Sequence, residues 1–575
     1  MIAEAMRAAP SQPQRCHGEW PEPGALLTVL LIWLLALSVT AVAAPPSRVL
    51  RVELREAEAS LDPALGTDAY SLALIEALYE PALIPDYLAR PVRLQPGLLT
   101  RLPESSDGGL HWRLELRAGL RFAPDPLFGA GRTRQLGAED LRYSLQRLAD
   151  PGLHSPFAWL IRDHVAAMQV RDALHLEITL RQPEPDFPRW LAVPATSVVP
   201  REVVEGAGLD AHPVGSGPYR LVERIRGAHY TLTANPNYRS RRWDFRSDDP
   251  ALAALVADMQ GRPVPAIPRI EIAVIDEPQS AWLTFRQGEL DLLWLQDLLA
   301  PKALGELPAG VRNDRITNPV LNYFVFNLRD RDFGGMQPEK IALRRAILLA
   351  LDADAFVREV REGQARALAW PVPPGLPDEQ PGYRSALGFD PATAAALLEE
   401  FGFRRGDDGF RRWPDGRPLR LRVASRANAM GRAEDEFIRR ALARIGVRMV
   451  AEHPPVSEFI KSARACQLQF ARADWFADAA DGEEFFDLLD PARIGSMNYS
   501  CFMDSEWQAE LASARALHES VQRSAAFLRL ARRVEWLGVW KPSDSSYRNV
   551  LVQARVHGFH SHPFLWSNWQ YLDVD

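Results

Sequence analysis

Residues 102–122 read LPESSDGGLHWRLELRAGLRF, an Asp-Gly turn that runs straight into a strand-like HWRLEL at 111–116. Working outward, a helix is predicted over Ala138–Leu148, closed by Asp150-Pro151, and a second strand over 174–180 (LHLEITL). Upstream, 48–54 (RVLRVEL) alternates apolar and charged residues as a half-buried strand does, and 71–79 (SLALIEALY) has helical periodicity. Downstream, Pro183-Glu184-Pro185 and the segment from Pro194 to Pro200 mark a boundary, with strands expected at 230–233 and 270–275 and a helix at 279–287 ending on Gly288. A second block starts near 322–327 (NYFVFN) and continues through helices at 340–351 and 391–400 and a strand at 418–424. The charged, Pro-rich strip 241–267 reads as a long loop or excursion. Strands and helices alternate without a fixed-period repeat, so the fold class is mixed α/β, not a solenoid or a helical array.

The 575 residues include 67 Lys and Arg against 74 Asp and Glu, with 47% hydrophobic and 25% charged, an ordinary globular composition. A net charge of −7 without a basic tract argues against nucleic acid as a partner, because phosphate binding needs clustered cations. Residues 25–44 (ALLTVLLIWLLALSVTAVAA) form an uncharged run. The Ala41-Val42-Ala43 ending suits a signal peptidase, and Pro45-Pro46 would stop the helix, so residues 1–43 are expected to be a cleaved export signal, with an uncleaved membrane anchor as the alternative. Cys16 falls in that leader, leaving Cys466 and Cys501, which are either a disulfide or two separate buried thiols.

There is no G-x-S-x-G, H-E-x-x-H, phosphate-binding Gly loop or C-x-x-C, so no enzymatic chemistry, cofactor or metal is expected. His557, His560 and His562 lack the spacing of one helical face and are expected to be packing or surface residues.

A set of segments in fixed order stands out: Leu61-Asp62-Pro63, Tyr79-Glu80-Pro81, the 102–122 stretch, AEDLRYSLQRL at 138–148, VGSGPY at 214–219, NPNY at 235–238, GELD at 288–291 and RRAILLALD at 344–352. Together they closely resemble the peptide-binding proteins of ABC importers, the oligopeptide- and dipeptide-binding group (family 5) of extracellular solute-binding proteins, from about Arg48 to the C-terminus. The resemblance implies a two-lobed periplasmic-binding-protein type II fold with an additional subdomain in the first lobe. On it, residues 44–92, 195–312 and 541–575 fall to lobe I, 93–194 to the inserted subdomain and 313–540 to lobe II. It also implies a monomeric periplasmic subunit that captures a peptide ligand between the lobes and delivers it to an inner-membrane permease.

Residues 471–486 (ARADWFADAADGEEFF) look like the family's second-lobe ligand strand. On that match Asp478 pairs with a peptide's α-ammonium, while Ala473, Asp474, Trp475 and Phe476 lend backbone groups to the peptide main chain, as in strand addition to a sheet edge. Arg472 matches a position that meets the carboxylate of a short peptide. Tyr143 and the segment Thr67, Asp68 and Ala69 match first-lobe residues that face the ligand. Each has a structural alternative: a turn cap before Phe485-Phe486 for Asp478, a solvated strand position for Arg472, and plain packing for Tyr143 and Trp475. The sequence departs from the family where Asp478 is followed by Ala479-Ala480-Asp481-Gly482 instead of an aromatic and an acidic-Pro pair. Trp540-Lys541-Pro542-Ser543-Asp544 likewise replaces a more apolar stretch, in a C-terminal region crowded with Trp536, Trp566 and Trp569.

These departures keep other ligands open: a haem, a metal chelate or an opine-like compound on the same fold. A membrane-tethered sensor is a further alternative if the leader stays attached. A hydrolase using Asp474 and Asp478 is not supported, because i, i+4 residues on a strand lie about 13 Å apart.

Overall fold

The computed structural model describes residues 48–575 apart from 106, 296–298 and 518–519, so the apolar run and its cleavage site lie outside the described residues. Among the described residues no helix is long and apolar enough to cross a membrane. The Asp-Gly turn delivers His111–Glu115 into a three-stranded antiparallel sheet with His175–Leu180 and Val165–Val170. Trp112 and Leu114 share a core with Leu141, Leu145 and Leu148 of the helix Ala138–Leu148. That helix is tied to the Leu-Asp-Pro turn by an ion pair, Arg147 Nη1 donating to Asp62 Oδ1 at 2.8 Å.

Beside this insertion lies a four-stranded sheet in which Val49–Leu54 runs parallel to Arg269–Val274, followed by His229–Ala234 and Tyr219–Ile225. The helix Ala69–Leu78 packs nearby, and its end explains the VGSGPY motif. A Cβ on Gly215 would lie 2.1 Å from the Leu78 carbonyl oxygen, and one on Gly217 would lie 2.5 Å from the Leu78 carbonyl carbon. Only glycine permits so close a backbone approach.

The second block is built on an eight-stranded sheet. Its spine is the thirteen-residue strand Trp540–Val552, antiparallel to Val320–Phe326 at its start, to Ala365–Ala367 in its middle, and to Arg312–Thr317 and Leu292–Leu295 at its end. Beyond Val320–Phe326 come Phe470–Phe476, Arg420–Ala424 and Arg448–Glu452. Apolar side chains gather in two large cores. One holds Leu50, Leu74, Leu145, Tyr219, Ile270 and Leu572, and the other holds Phe324, Ile347, Leu421, Phe470, Phe486 and Trp540. These cores are the two lobes of a mixed α/β fold. The RRAILLALD helix is fastened to the second core by Arg344, whose guanidinium donates to the carbonyls of Phe333 at 2.7 Å, Gly335 at 2.9 Å and Leu537 at 2.7 Å.

One expectation needs correction. The strip 241–267 is not a loop: Arg241–Arg242 pairs with Pro263–Val264, a helix spans Ala253–Met259, and Trp243, Phe245, Met259 and Val264 build a small core with Tyr87 and Tyr571. Its few apolar residues have no local period because their partners lie far away in sequence. Residues 540–552 form the longest strand described, with its polar side chains satisfied inside. Lys541 Nζ donates to the carbonyls of Leu348 and Leu351 at 2.9 and 2.6 Å, at the end of the helix Pro338–Leu349. Burial pushes the Lys541 pKa down to about 7.

Cys466 and Cys501 form a disulfide with Cα atoms 6.0 Å apart, closing the chain at the foot of Phe470–Phe476 across a sequence separation of 35. In the chain-entropy account a loop of this size adds about 4 kcal/mol. Replacing both cysteines by Ser is expected to lower unfolding stability by about 2–4 kcal/mol, read from guanidinium titration. An unchanged midpoint would show that the bond contributes nothing.

Candidate ligand-binding site

A cavity of about 520 Å³ is walled by residues from both lobes. The first lobe contributes the end of the helix Ala69–Leu78 and the turn around Pro185–Pro194, and the second contributes residues 478–481. The size and the largely apolar lining fit a small organic ligand.

Asp478 stands just past the end of Phe470–Phe476. The Glu484 carboxylate gathers the turn behind it, accepting from Trp475 Nε1 at 2.7 Å, the Asp478 backbone N–H at 3.0 Å and the Ala479 N–H at 3.4 Å. The Asp478 carboxylate itself has no hydrogen bond or ion pair among the described residues, and it does not cap the helix Glu484–Asp487. Its side chain is exposed on the cavity wall, and desolvation by the protein packed around that wall raises its pKa to about 6. Burial, reinforced by the Asp478 charge, pushes Glu484 well above the usual carboxylate range.

The residues that depart from the family join the lobes. Ala479 is small enough to enter the first lobe's core. Asp481 pairs with Arg189 of the first lobe and with Arg523 of the second, the latter at 2.5 Å, and Arg523 also meets Asp186 at 2.7 Å and Asp378 at 3.0 Å. Gly482 runs against neighbouring backbone, where a Cβ would lie 2.5 Å from the Pro377 carbonyl oxygen. The wall that lacks the aromatic and the proline is therefore held by charge and close backbone contact.

Of the ligand contacts expected from the sequence, Asp478 alone lines this cavity. Ala473, Asp474, Trp475 and Phe476 lie on the strand that leads to it. Their one edge pairs with Val320–Phe326, while on the other side the pairing with Arg420–Ala424 stops at Ala471, so the edge beyond has no strand partner among the described residues. Asp474 pairs with Arg426, and the Phe476 ring sits 5.3 Å from that of Trp566. Arg472 is buried and doubly paired, with Glu434 Oε1 and Asp544 Oδ2 each at 2.7 Å, and its guanidinium lies 4.8 Å from the Phe356 ring centroid. Both of its carboxylate partners belong to the protein. Tyr143 packs against the first core beneath Arg201 and lines neither this cavity nor a smaller one of about 100 Å³. Ala69 lines that smaller cavity, Asp68 caps its helix by accepting from Ser71 N at 2.8 Å, and Thr67 is exposed.

Glu76 and Arg93 also line the cavity, and neither was expected from the sequence to meet a ligand. Glu76 carries the lone charge in AYSLALIEAL, a signal that an otherwise apolar helix invites one to overlook. The three C-terminal histidines diverge: His557 meets Asp258 at 2.8 Å, His560 meets Asp314 at 3.4 Å and His562 is buried, and no metal-ligating cluster occurs among the described residues.

Bacterial extracellular solute-binding proteins, family 5 Middle, match residues 93–495. The chain belongs to that family. Di/tripeptide-binding protein 2 of Pseudomonas aeruginosa is 25% identical over 578 residues, covering 94% of this chain and 98% of that protein. Heme-binding protein A of Haemophilus influenzae is 24% identical over 496 residues, covering 82% and 83%. Among solved structures, the ABC transporter-associated periplasmic binding protein DppA from Helicobacter pylori in complex with peptide STSA superposes with a TM-score of 0.71 at 21% identity, covering 92% of this chain and 98% of that one.

Two predictions follow from the charges of the site. Asp478 has a folded pKa of about 6, above its unfolded value of about 3.9. The unfolded chain therefore loses this proton first, and the carboxyl's contribution to stability falls as pH rises from about 4 to 6. Asp478→Asn is expected to leave the unliganded melting temperature unchanged at pH 4 and raise it at pH 7; an equal fall in both proteins would remove the assignment. Arg523→Met leaves Asp186, Asp378 and Asp481 short of a buried cation and should cost about 3–5 kcal/mol in denaturant titration.

Proposed function

We propose that the protein captures short peptides between its two lobes outside the cytoplasm and delivers them, as a monomer, to an ABC permease. The observation that carries this is Asp478, a carboxylate with no partner among the described residues, which opens on the interlobe cavity at the end of a strand whose outer edge has no strand partner among them. An α-ammonium would supply the missing counter-charge, and the open edge offers main-chain hydrogen bonds to an extended ligand without reading its side chains. The relatives that bind di- and tripeptides, and the peptide-bound structure of like fold, support the same ligand class. We place the lobe limits at 44–92, 195–312 and 541–575 for the first lobe, with 93–194 inserted, and 313–540 for the second. The separate cores support this division, and Trp540–Val552 passes between them. A haem or a metal chelate is less well served, since its negative groups would face the unpaired carboxylate.

Native mass spectrometry of the exported protein tests the ligand class directly: a ladder of peptide masses is expected, and a single non-peptide mass would overturn peptide capture. Asp478→Asn should weaken binding of a free tripeptide by about 1.5–3 kcal/mol in calorimetry. The N-acetylated tripeptide should bind the wild type and the variant alike. An equal loss for both peptides would show that Asp478 does not meet the ammonium.

A further inference from the structure

Most charges on the cavity walls are already engaged. Glu80 pairs with Arg239, Asp186 and Asp481 with Arg523, and Arg189 with Asp481. Three charged groups remain without a counter-ion in contact among the described residues: Asp478, Arg93 and Glu76. Glu76 belongs to the first lobe, and its position is fixed, because Oε2 accepts from the backbone N–H groups of Trp566 at 2.9 Å and Ser567 at 2.8 Å. Its other oxygen, Oε1, is buried and accepts nothing.

The two acids are held by different groups: Asp478 by the turn that Glu484 gathers, and Glu76 by the Trp566 and Ser567 amides. The charge acting on Glu76 is that of Arg548. Arg548 does not neutralise Glu76 by contact. It donates to the His562 carbonyl at 2.6 Å, lies 5.5 Å from the ring centroid of Trp294 and 5.7 Å from that of Trp566, and lines the smaller cavity. Glu76 therefore keeps a buried acceptor without a partner, and burial holds its pKa up at about 8.

We propose that Glu76 is a second cation subsite, so that the protein selects peptides bearing one basic side chain; this rests on the peptide capture proposed above. Two free acids and one free guanidinium complement a peptide with an α-ammonium, a side-chain cation and a terminal carboxylate. Asp478 takes the first, Glu76 the second, and Arg93 at the exposed rim the third. A peptide with an apolar side chain leaves Glu76 unpaired and must be accommodated with that carboxyl protonated. A Lys or Arg side chain instead gives it a charge-assisted hydrogen bond in a site shielded from water.

The test is calorimetry on the exported protein with tripeptides of alanine carrying Lys at the first, second or third position, each against its norleucine counterpart, which keeps the chain length and removes the charge. In the wild type the Lys peptide of at least one position should bind about tenfold tighter than its norleucine partner, or about 1.4 kcal/mol. Glu76→Gln retains an acceptor for the Trp566 and Ser567 amides. It should bring that ratio to within about twofold. A preference that survives in Glu76→Gln, or no Lys preference at any position, overturns the subsite and leaves peptide capture standing. Failure of every peptide to bind the wild type overturns both.

Discussion

The eight-stranded sheet depends on the buried carboxylate of Asp544, on the strand Trp540–Val552 that reaches from one core to the other. It accepts from Arg361 Nε at 3.1 Å and from Arg472 Nη2 at 2.7 Å, with Ser543 Oγ donating at 2.8 Å. These donors hold Asp544 below the usual carboxylate range despite its burial. Because the charge is balanced, Trp540–Val552 can carry polar residues through the interior and still present backbone hydrogen bonds to Val320–Phe326 on one side of the crossing and Arg312–Thr317 on the other. Removing one partner would leave a buried ion uncompensated, which is more costly than never having had the pair. Arg472 is thus committed to the frame that positions the strand Phe470–Phe476.

The cavity shows the opposite choice. Where the frame pairs its charges, the cavity wall leaves the Asp478 carboxylate and one oxygen of Glu76 without a partner among the described residues. Glu484 holds the Asp478 turn through three N–H groups, and Trp566 and Ser567 hold Glu76 through two. Groups fixed in advance need no reorganisation when a cation arrives, so less of the interaction is lost to ordering. The unliganded protein is less stable for it.

Elements with a strong local period were legible in the sequence. Ala138–Leu148 shows an amphipathic face and a Pro stop, and the structure gives the helix those limits. Trp540–Val552 was not legible, since its polar residues are satisfied by Arg361, Arg472 and a distant helix end, none of which leaves a trace nearby. Arg472 illustrates the same limit: its partners are 38 and 72 residues away, so nothing local separated a frame residue from a ligand contact. Family resemblance pointed to Asp478, and the structure brings it to the cavity. Glu76 was hidden because a single acid does not disturb a helical period.

The ion pairs that link Arg189 and Asp186 to Asp481 and Arg523 bear on kinetics as well as shape. To part the lobes, water has to reach these groups and replace their partners before either side can move away. Entry and exit of a ligand are then governed by how often the clasp yields rather than by how often molecules collide. A surface that offered its own charges to the same residues would shorten the time a captured molecule stays inside.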